Sequence, residues 1–155
     1  MIANTEVFLD TNILLYLHDR KDIPKGERIR VWLAALIAHQ SVCVNLQVLN
    51  EATSALLRKQ WFERPEQVFS IIDEFARLGD APVGWAELGI ARLLHARLGY
   101  AWWDCLLLAS AFELGCTHFL SEDMQDGQLV AISPDRSLTL VDPFAHSPDD
   151  ILTQH

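Results

Sequence analysis

Short apolar runs holding β-branched or aromatic residues alternate along the chain with longer stretches whose apolar positions recur at three- and four-residue spacing. The short runs read as strands: Val7-Phe8-Leu9, Val42-Cys43-Val44, the Pro82-Val83 region, His118-Phe119-Leu120 and Leu138-Thr139-Leu140-Val141. The longer stretches predict helices at roughly 11–18, 25–39, 46–59, 65–78, 85–98 and 102–115, with Gly79, Gly99 and Gly115 standing where helices should stop. Strands alternating with helices predict an α/β domain whose mostly parallel sheet is covered on both faces. In such folds the ligand site lies beyond the carboxyl ends of the strands, and that is where chemistry is sought.

Most acidic residues sit in polar or helix-flanking surroundings and read as solvated surface. Four positions differ, because a carboxylate is seldom placed in apolar company unless it is paired or binds a metal. Asp10 directly follows Val7-Phe8-Leu9 and opens Asp10-Thr11-Asn12, which puts it at a strand's carboxyl end and a helix's amino end. An N-cap explains that place equally well. Glu51 lies inside the helix at 46–59 and borders its face of Val48, Ala52, Ala55 and Leu56 instead of the face that ends in Arg58 and Lys59. Asp104 interrupts Trp102-Trp103-Asp104-Cys105-Leu106-Leu107-Leu108-Ala109, a helix greasy on all sides and therefore expected to be buried. The run Ser121-Glu122-Asp123-Met124-Gln125-Asp126-Gly127 follows another apolar strand; alone it would read as a turn. If Asp10 and Asp123 leave adjacent strands at one edge, with Glu51 and Asp104 brought in by helices, the result is a pocket of hard oxygen ligands. Crowded carboxylates must stay protonated or share a cation. Magnesium or manganese suits a site of oxygen donors without cysteine or histidine spacing.

Composition changes this picture little. The 155 residues, 50% hydrophobic and 21% charged, form one globular unit without repeats, low-complexity segments or flexible linkers. Cys43, Cys105 and Cys116 are odd in number and form no C-x-x-C pair, so they read as buried thiols in a reducing compartment. The start MIANTEVFLD lacks a signal-peptide core and no window is long and apolar enough for a membrane span, which predicts a cytoplasmic protein. A formal charge of −9 disfavours broad non-specific phosphate binding and suits cations or a basic protein partner. Five of the twelve basic residues, Arg20, Lys21, Lys25, Arg28 and Arg30, fall between positions 20 and 30; they read as an RNA guide or as a solvated helix face. Trp61, Phe62 and Phe69 read as a partner surface or as core.

The four acidic anchors, in order within V-F-L-D-T-N at 7–12, N-L-Q-V-L-N-E-A at 45–52, W-W-D-C-L-L-L-A-S-A at 102–111 and H-F-L-S-E-D-M-Q-D-G at 118–127, resemble those of the PIN-domain family, and within it the VapC ribonuclease toxins. The resemblance implies a three-layer α/β/α fold over residues 1–144 with a C-terminal tail at 145–155, and a divalent-metal-dependent endoribonuclease, the toxin of a type II toxin–antitoxin pair. It further implies Mg²⁺ or Mn²⁺ held chiefly by Asp10, Asp104 and Asp123, with Glu51 ligating through water or orienting the attacking water. Asn12 and Ser121 match small polar positions beside the metal. Many relatives carry T-x-N or T-x-D at the last motif, whereas this chain has Ser121-Glu122-Asp123 and then Asp126, so Glu122 or Asp126 is an accessory candidate beside Asp123 or in its place. The implied partners are RNA, a VapB-type antitoxin and a second copy in a homodimer.

Other readings fit less well. A haloacid-dehalogenase-like nucleophile is followed two residues later by a second Asp, where this chain has Asn12; a receiver-type domain needs a late lysine, and none occurs after Lys59. A noncatalytic PIN-like interaction module is the remaining alternative, although such modules commonly lose one or more of the acids.

Overall fold

The computed structural model describes residues 5–152. Five strands form one sheet in the order β2-β1-β3-β5-β4, with β1 at Val7–Leu9, β2 at Val42–Cys43, β3 at His118–Leu120, β4 at Leu129–Ser133 and β5 at Arg136–Val141. The pairs β1/β2, β1/β3 and β3/β5 are parallel, and only β4 runs antiparallel, against β5. Seven helices complete a three-layer α/β/α fold: α1 (Thr11–Leu15), α2 (Ile23–Ala38), α3 (Leu46–Lys59), α4 (Pro65–Phe75), α5 (Trp85–Leu98), α6 (Trp102–Glu113) and α7 (Asp149–Leu152). Single 3-10 turns extend α1 to His18 and α4 to Leu78. No helix among the described residues is long and apolar enough to cross a membrane.

The central strands β1 and β3 are the most buried, as expected for a sheet covered on both faces: Val7, Phe8, Leu9, Phe119 and Leu120 have no exposed surface, and Phe8 stacks on Phe119 at 5.6 Å across β1 and β3. Helix α6 contributes a continuous buried run from Cys105 to Phe112. The indole of the fully buried Trp32 in α2 donates to the carbonyl of Pro143 at 2.9 Å, tying the chain after β5 to the core. Beyond residue 144 the chain closes with α7, whose Ile151 and Leu152 join the main core. The three thiols are free; Cys105 and Cys116 are buried as expected, whereas Cys43 is only half-buried, in contact with Cys116 at 3.1 Å.

Two differences from the sequence reading have physical causes. The Pro82-Val83 region is not a strand; only Ala81 bridges, to Asn45, because Pro82 has no N–H for a ladder and Gly84 already caps α5. Strand β4 escapes the pattern because only Val130 on it is buried; the Pro134-Asp135 turn leading into β5 was its available signal.

Gly79 seats this region against the amino end of α3. Its φ is +150°, and a Cβ there would lie 2.3 Å from the Val44 carbonyl oxygen, next to the Asn45 that caps α3. Gly79→Ala therefore combines an unfavourable φ with a backbone clash. It is expected to destabilise the domain by more than about 2 kcal/mol, read as a fall in Tm of at least roughly 5 °C.

Candidate metal centre

The parallel register of β1 and β3 sets Leu9 opposite Leu120, so the next residues, Asp10 and Ser121, emerge side by side at the carboxyl edge of the sheet. The Asp10 amide donates to the Leu120 carbonyl at 3.0 Å, which prolongs the ladder by one bond. Asp10 is only 6% exposed. One carboxylate oxygen accepts from the Thr11 amide at 2.7 Å, capping α1, and the other accepts from the Ser121 hydroxyl at 2.8 Å. Capping and site position are thus combined in one residue.

Around it stand the other three acids. Glu51, half-buried on α3, accepts from the Gln47 amide at 2.9 Å and lies 3.5 Å from the Thr11 hydroxyl. Asp123, exposed, accepts from Asn12 at 2.8 Å, and its own amide donates to Ser121. Asp104 enters from the first turn of α6, where the helix dipole favours its charged form. Asp10, Thr11, Asn12, Glu51, Ser54, Ala55, Arg58, Asp104 and Asp123 line one cavity of about 270 Å³. All four anchors predicted from sequence therefore share a site, with Asn12 lining it and Ser121 behind Asp10.

Burial and mutual repulsion set the electrostatics. Desolvation dominates at Asp10 and pushes its pKa up to about 6; hydrogen bonds from Ser121 and Thr11 oppose this, and the charges of Asp104 and Asp123 add to it. Desolvation also raises Glu51, despite the bond from Gln47, with Asp104 adding repulsion. Asp104 is raised by its own burial and by Asp123. Among the described residues no three His, Cys, Asp or Glu side chains already close around a single point; the acids ring an open space.

The accessory candidates go elsewhere. Glu122 turns away from the cavity, its carboxylate oxygens accepting from the Lys25 ammonium at 2.8 and 2.9 Å and from the Tyr16 hydroxyl at 3.0 Å. Lys25 also lies 4.9 Å from the centre of the Phe144 ring. Asp126 accepts from the Asp142 amide and pairs with His146 at 2.7 Å, and these bonds hold its pKa below the usual range. Both carboxylates fasten the segment around Asp123 instead of facing the cavity.

The structure decides four further readings. The basic cluster at 20–30 is largely spent on structure: Lys25 holds Glu122, Arg28 reaches the Pro143 carbonyl, and Arg30 reaches that of Leu17. Trp103 beside Asp104 is 59% exposed, so the buried surface of α6 begins after it. Glu51 and Arg58, expected on different faces of α3, line the same cavity because seven residues are two helical turns. Trp61 and Phe62 pack against a second apolar cluster with Leu15 and Leu56, while Phe69 stays 48% exposed.

The PIN domain family model matches residues 7–125, a span that contains all four acids. The chain belongs to the PIN domain family. No curated protein matches it in sequence. Solved PIN domain structures share its fold at low identity. FitAcB from Neisseria gonorrhoeae is 17% identical with a TM-score of 0.66, over 90% of this chain and 99% of that one. A VapBC2 chain from Rickettsia felis, crystallised with a DNA fragment from its promoter, is 17% identical with a TM-score of 0.60, over 89% and 100%. The sarcin-ricin loop cleaving toxin VapC20 from Mycobacterium tuberculosis is 18% identical with a TM-score of 0.55, over 74% and 87%.

Proposed function

We propose that this PIN domain is a divalent-metal-dependent endoribonuclease acting as the toxin of a type II toxin–antitoxin pair. The observation that carries the reading is the convergence of Asp10, Glu51, Asp104 and Asp123 on one cavity at the carboxyl edge of a parallel sheet. The donor set fits Mg²⁺ or Mn²⁺: every candidate ligand is a hard oxygen, and the raised proton affinities of Asp10, Glu51 and Asp104 mark a place where positive charge is favoured.

Asp10, Asp104 and Asp123 would hold the ion, which when bound would neutralise charge at a phosphodiester and lower the pKa of a bound water. The Ser121 hydroxyl orients Asp10 and shares its charge, while the Asn12 amide fixes Asp123 from the first turn of α1. Gln47 and Thr11 hold Glu51 at the rim, where its raised pKa suits it to accept a proton from an attacking water. The Lys25–Glu122–Tyr16 clamp steadies the loop carrying Asp123 without entering the cavity. Lys25→Met is accordingly expected to slow RNA cleavage about tenfold, as loss of an outer support does at metal sites, with a fall in stability on the order of 1 kcal/mol. Single-turnover rates and urea midpoints check the two parts separately.

The deciding experiment incubates the purified chain with single-stranded and structured RNA in Mg²⁺, in EDTA, and in EDTA with Mg²⁺ restored. Cleavage that follows the metal supports the reading; intact RNA under all three conditions overturns it in favour of a noncatalytic interaction module.

The toxin role adds an antitoxin and a homodimer. Its support is the likeness to chains solved as toxin–antitoxin assemblies, including a complex from Klebsiella pneumoniae, together with a charge of −9 that complements a basic inhibitory segment. A lysine or arginine placed among the four acids would take the ion's position, so antitoxin affinity is expected to fall as Mg²⁺ rises at fixed ionic strength. A titration exchanging Mg²⁺ for monovalent salt measures this, and equal affinity throughout would place inhibition outside the pocket.

A further inference from the structure

A phosphodiester strand approaching four carboxylates is repelled along its whole length, whereas a metal ion relieves that repulsion only at the scissile group. Phosphates on either side need cations of their own. Of the basic residues at 20–30, Lys25, Arg28 and Arg30 are bonded within the fold, and none of the five lines the carboxylate cavity. The carboxyl end of α3 does. Arg58 is exposed, lines the carboxylate cavity two turns after Glu51, and makes no ion pair with its acids among the described residues. Lys59 opens a second cavity of about 250 Å³ with Asn12, Leu15, Tyr16, Asp19 and Trp61. Asn12 lines both cavities, so the two flank the same residue at the start of α1.

Local geometry holds Lys59 there. The cap residue Gln60 takes a left-handed conformation, φ 56°, and turns the chain back so that Trp61 lies under Lys59, whose ammonium sits 4.9 Å from the centre of the indole ring. The ring is half-buried against the second apolar cluster and is therefore a fixed support. Basic side chains in a last helical turn also complement the helix dipole, but the dipole does not require that they open into adjoining cavities beside the acids.

We propose that Arg58 and Lys59, the latter steadied on Trp61, bind the backbone phosphates flanking the scissile phosphate of a single-stranded RNA. This subsite rests on the ribonuclease reading and extends it by naming how the strand is held.

The test measures binding of a short dye-labelled single-stranded RNA of mixed sequence to the Asp10→Asn chain, in which hydrolysis is arrested, as monovalent salt is varied. Adding Arg58→Ala or Lys59→Ala is expected to reduce the slope of log affinity against log salt by about 0.7 each, and to weaken binding about fivefold near 0.1 M salt. Arg58→Lys keeps the slope because it keeps the charge. Arg77→Ala, which removes a cation outside both cavities, leaves slope and affinity unchanged. Both α3 positions are exposed, so melting curves should match the parent. A wild-type chain that neither binds nor cleaves RNA overturns the ribonuclease reading and this subsite with it. A chain that binds and cleaves, with Arg58→Ala and Lys59→Ala unaltered in slope and affinity, overturns the subsite alone.

Discussion

Replacing Asp10 or Asp104 by asparagine is expected to lower Mg²⁺-dependent RNA cleavage by more than about 100-fold while the protein stays folded, since even outer supports of metal ligands are worth roughly 10–100-fold. The substitutions keep shape and remove charge. In Asp10 the amide can still accept from Thr11 or from Ser121, so the cap on α1 and the link between β1 and β3 survive in part. In Asp104 the change sits in the first turn of α6, ahead of the buried run that anchors that helix. Single-turnover cleavage with far-UV circular dichroism on the same samples separates the outcomes. Unchanged cleavage by both variants would remove these residues from the site, and collapse of the fold would mean that they serve structure alone.

The metal-free protein should also grow less stable between about pH 4 and pH 6, chiefly through Asp10, with Glu51 and Asp104 shifted in the same direction. In the folded chain the pKa of Asp10 is raised from 3.8 to about 6, so between those values the native state holds a proton that the unfolded state has released. Stability from this group is complete below the lower value and is lost as pH rises through the upper one. The shift corresponds to an order of 3 kcal/mol. The same charge that destabilises the free protein above pH 6 favours a cation in the pocket. Mg²⁺ should therefore raise Tm clearly at pH 7.5 and little at pH 5. Asp10→Asn, which cannot ionise, should match or exceed the wild type in EDTA at pH 7.5 and lose most of the Mg²⁺ effect. Melting curves of both proteins across pH, with EDTA and with Mg²⁺, check each part. A wild-type Tm indifferent to Mg²⁺ at pH 7.5 would count against a cation at Asp10.

The surface pair of Asp126 and His146 acts outside this window: Asp126 is held below its ordinary value chiefly by the Asp142 amide, and His146 is raised chiefly by its hydrogen bond to Asp126, so the pair changes stability below about pH 4 and above about pH 6.5. The comparison with Asp10→Asn cancels this contribution, as both proteins retain the pair.

Periodicity and punctuation along the chain were sufficient to place all but the shortest helix, α7, and the parallel strands, because amphipathic spacing and fully apolar runs are local properties of neighbouring residues. Asp10, Glu51 and Asp104 could be singled out the same way, as charges beside apolar positions, and Asp123 only as one of three acids after an apolar strand. Tertiary contact decided the rest. Strand β4 is an edge with one buried side chain, so its existence depends on pairing with β5 and not on its own pattern. Glu122 and Asp126 look as good as Asp123 in sequence, and only the positions of Lys25 and His146, distant along the chain, draw them off the cavity. Arg58 joined the site because α3 packs with that face toward the acids, a choice made by the burial of Val48, Ala52 and Ala55. The raised pKa of Asp10 belongs to no single segment: it arises chiefly because the packing around the end of β1 buries Asp10, and further because α6 and the loop after β3 bring the charges of Asp104 and Asp123 near it.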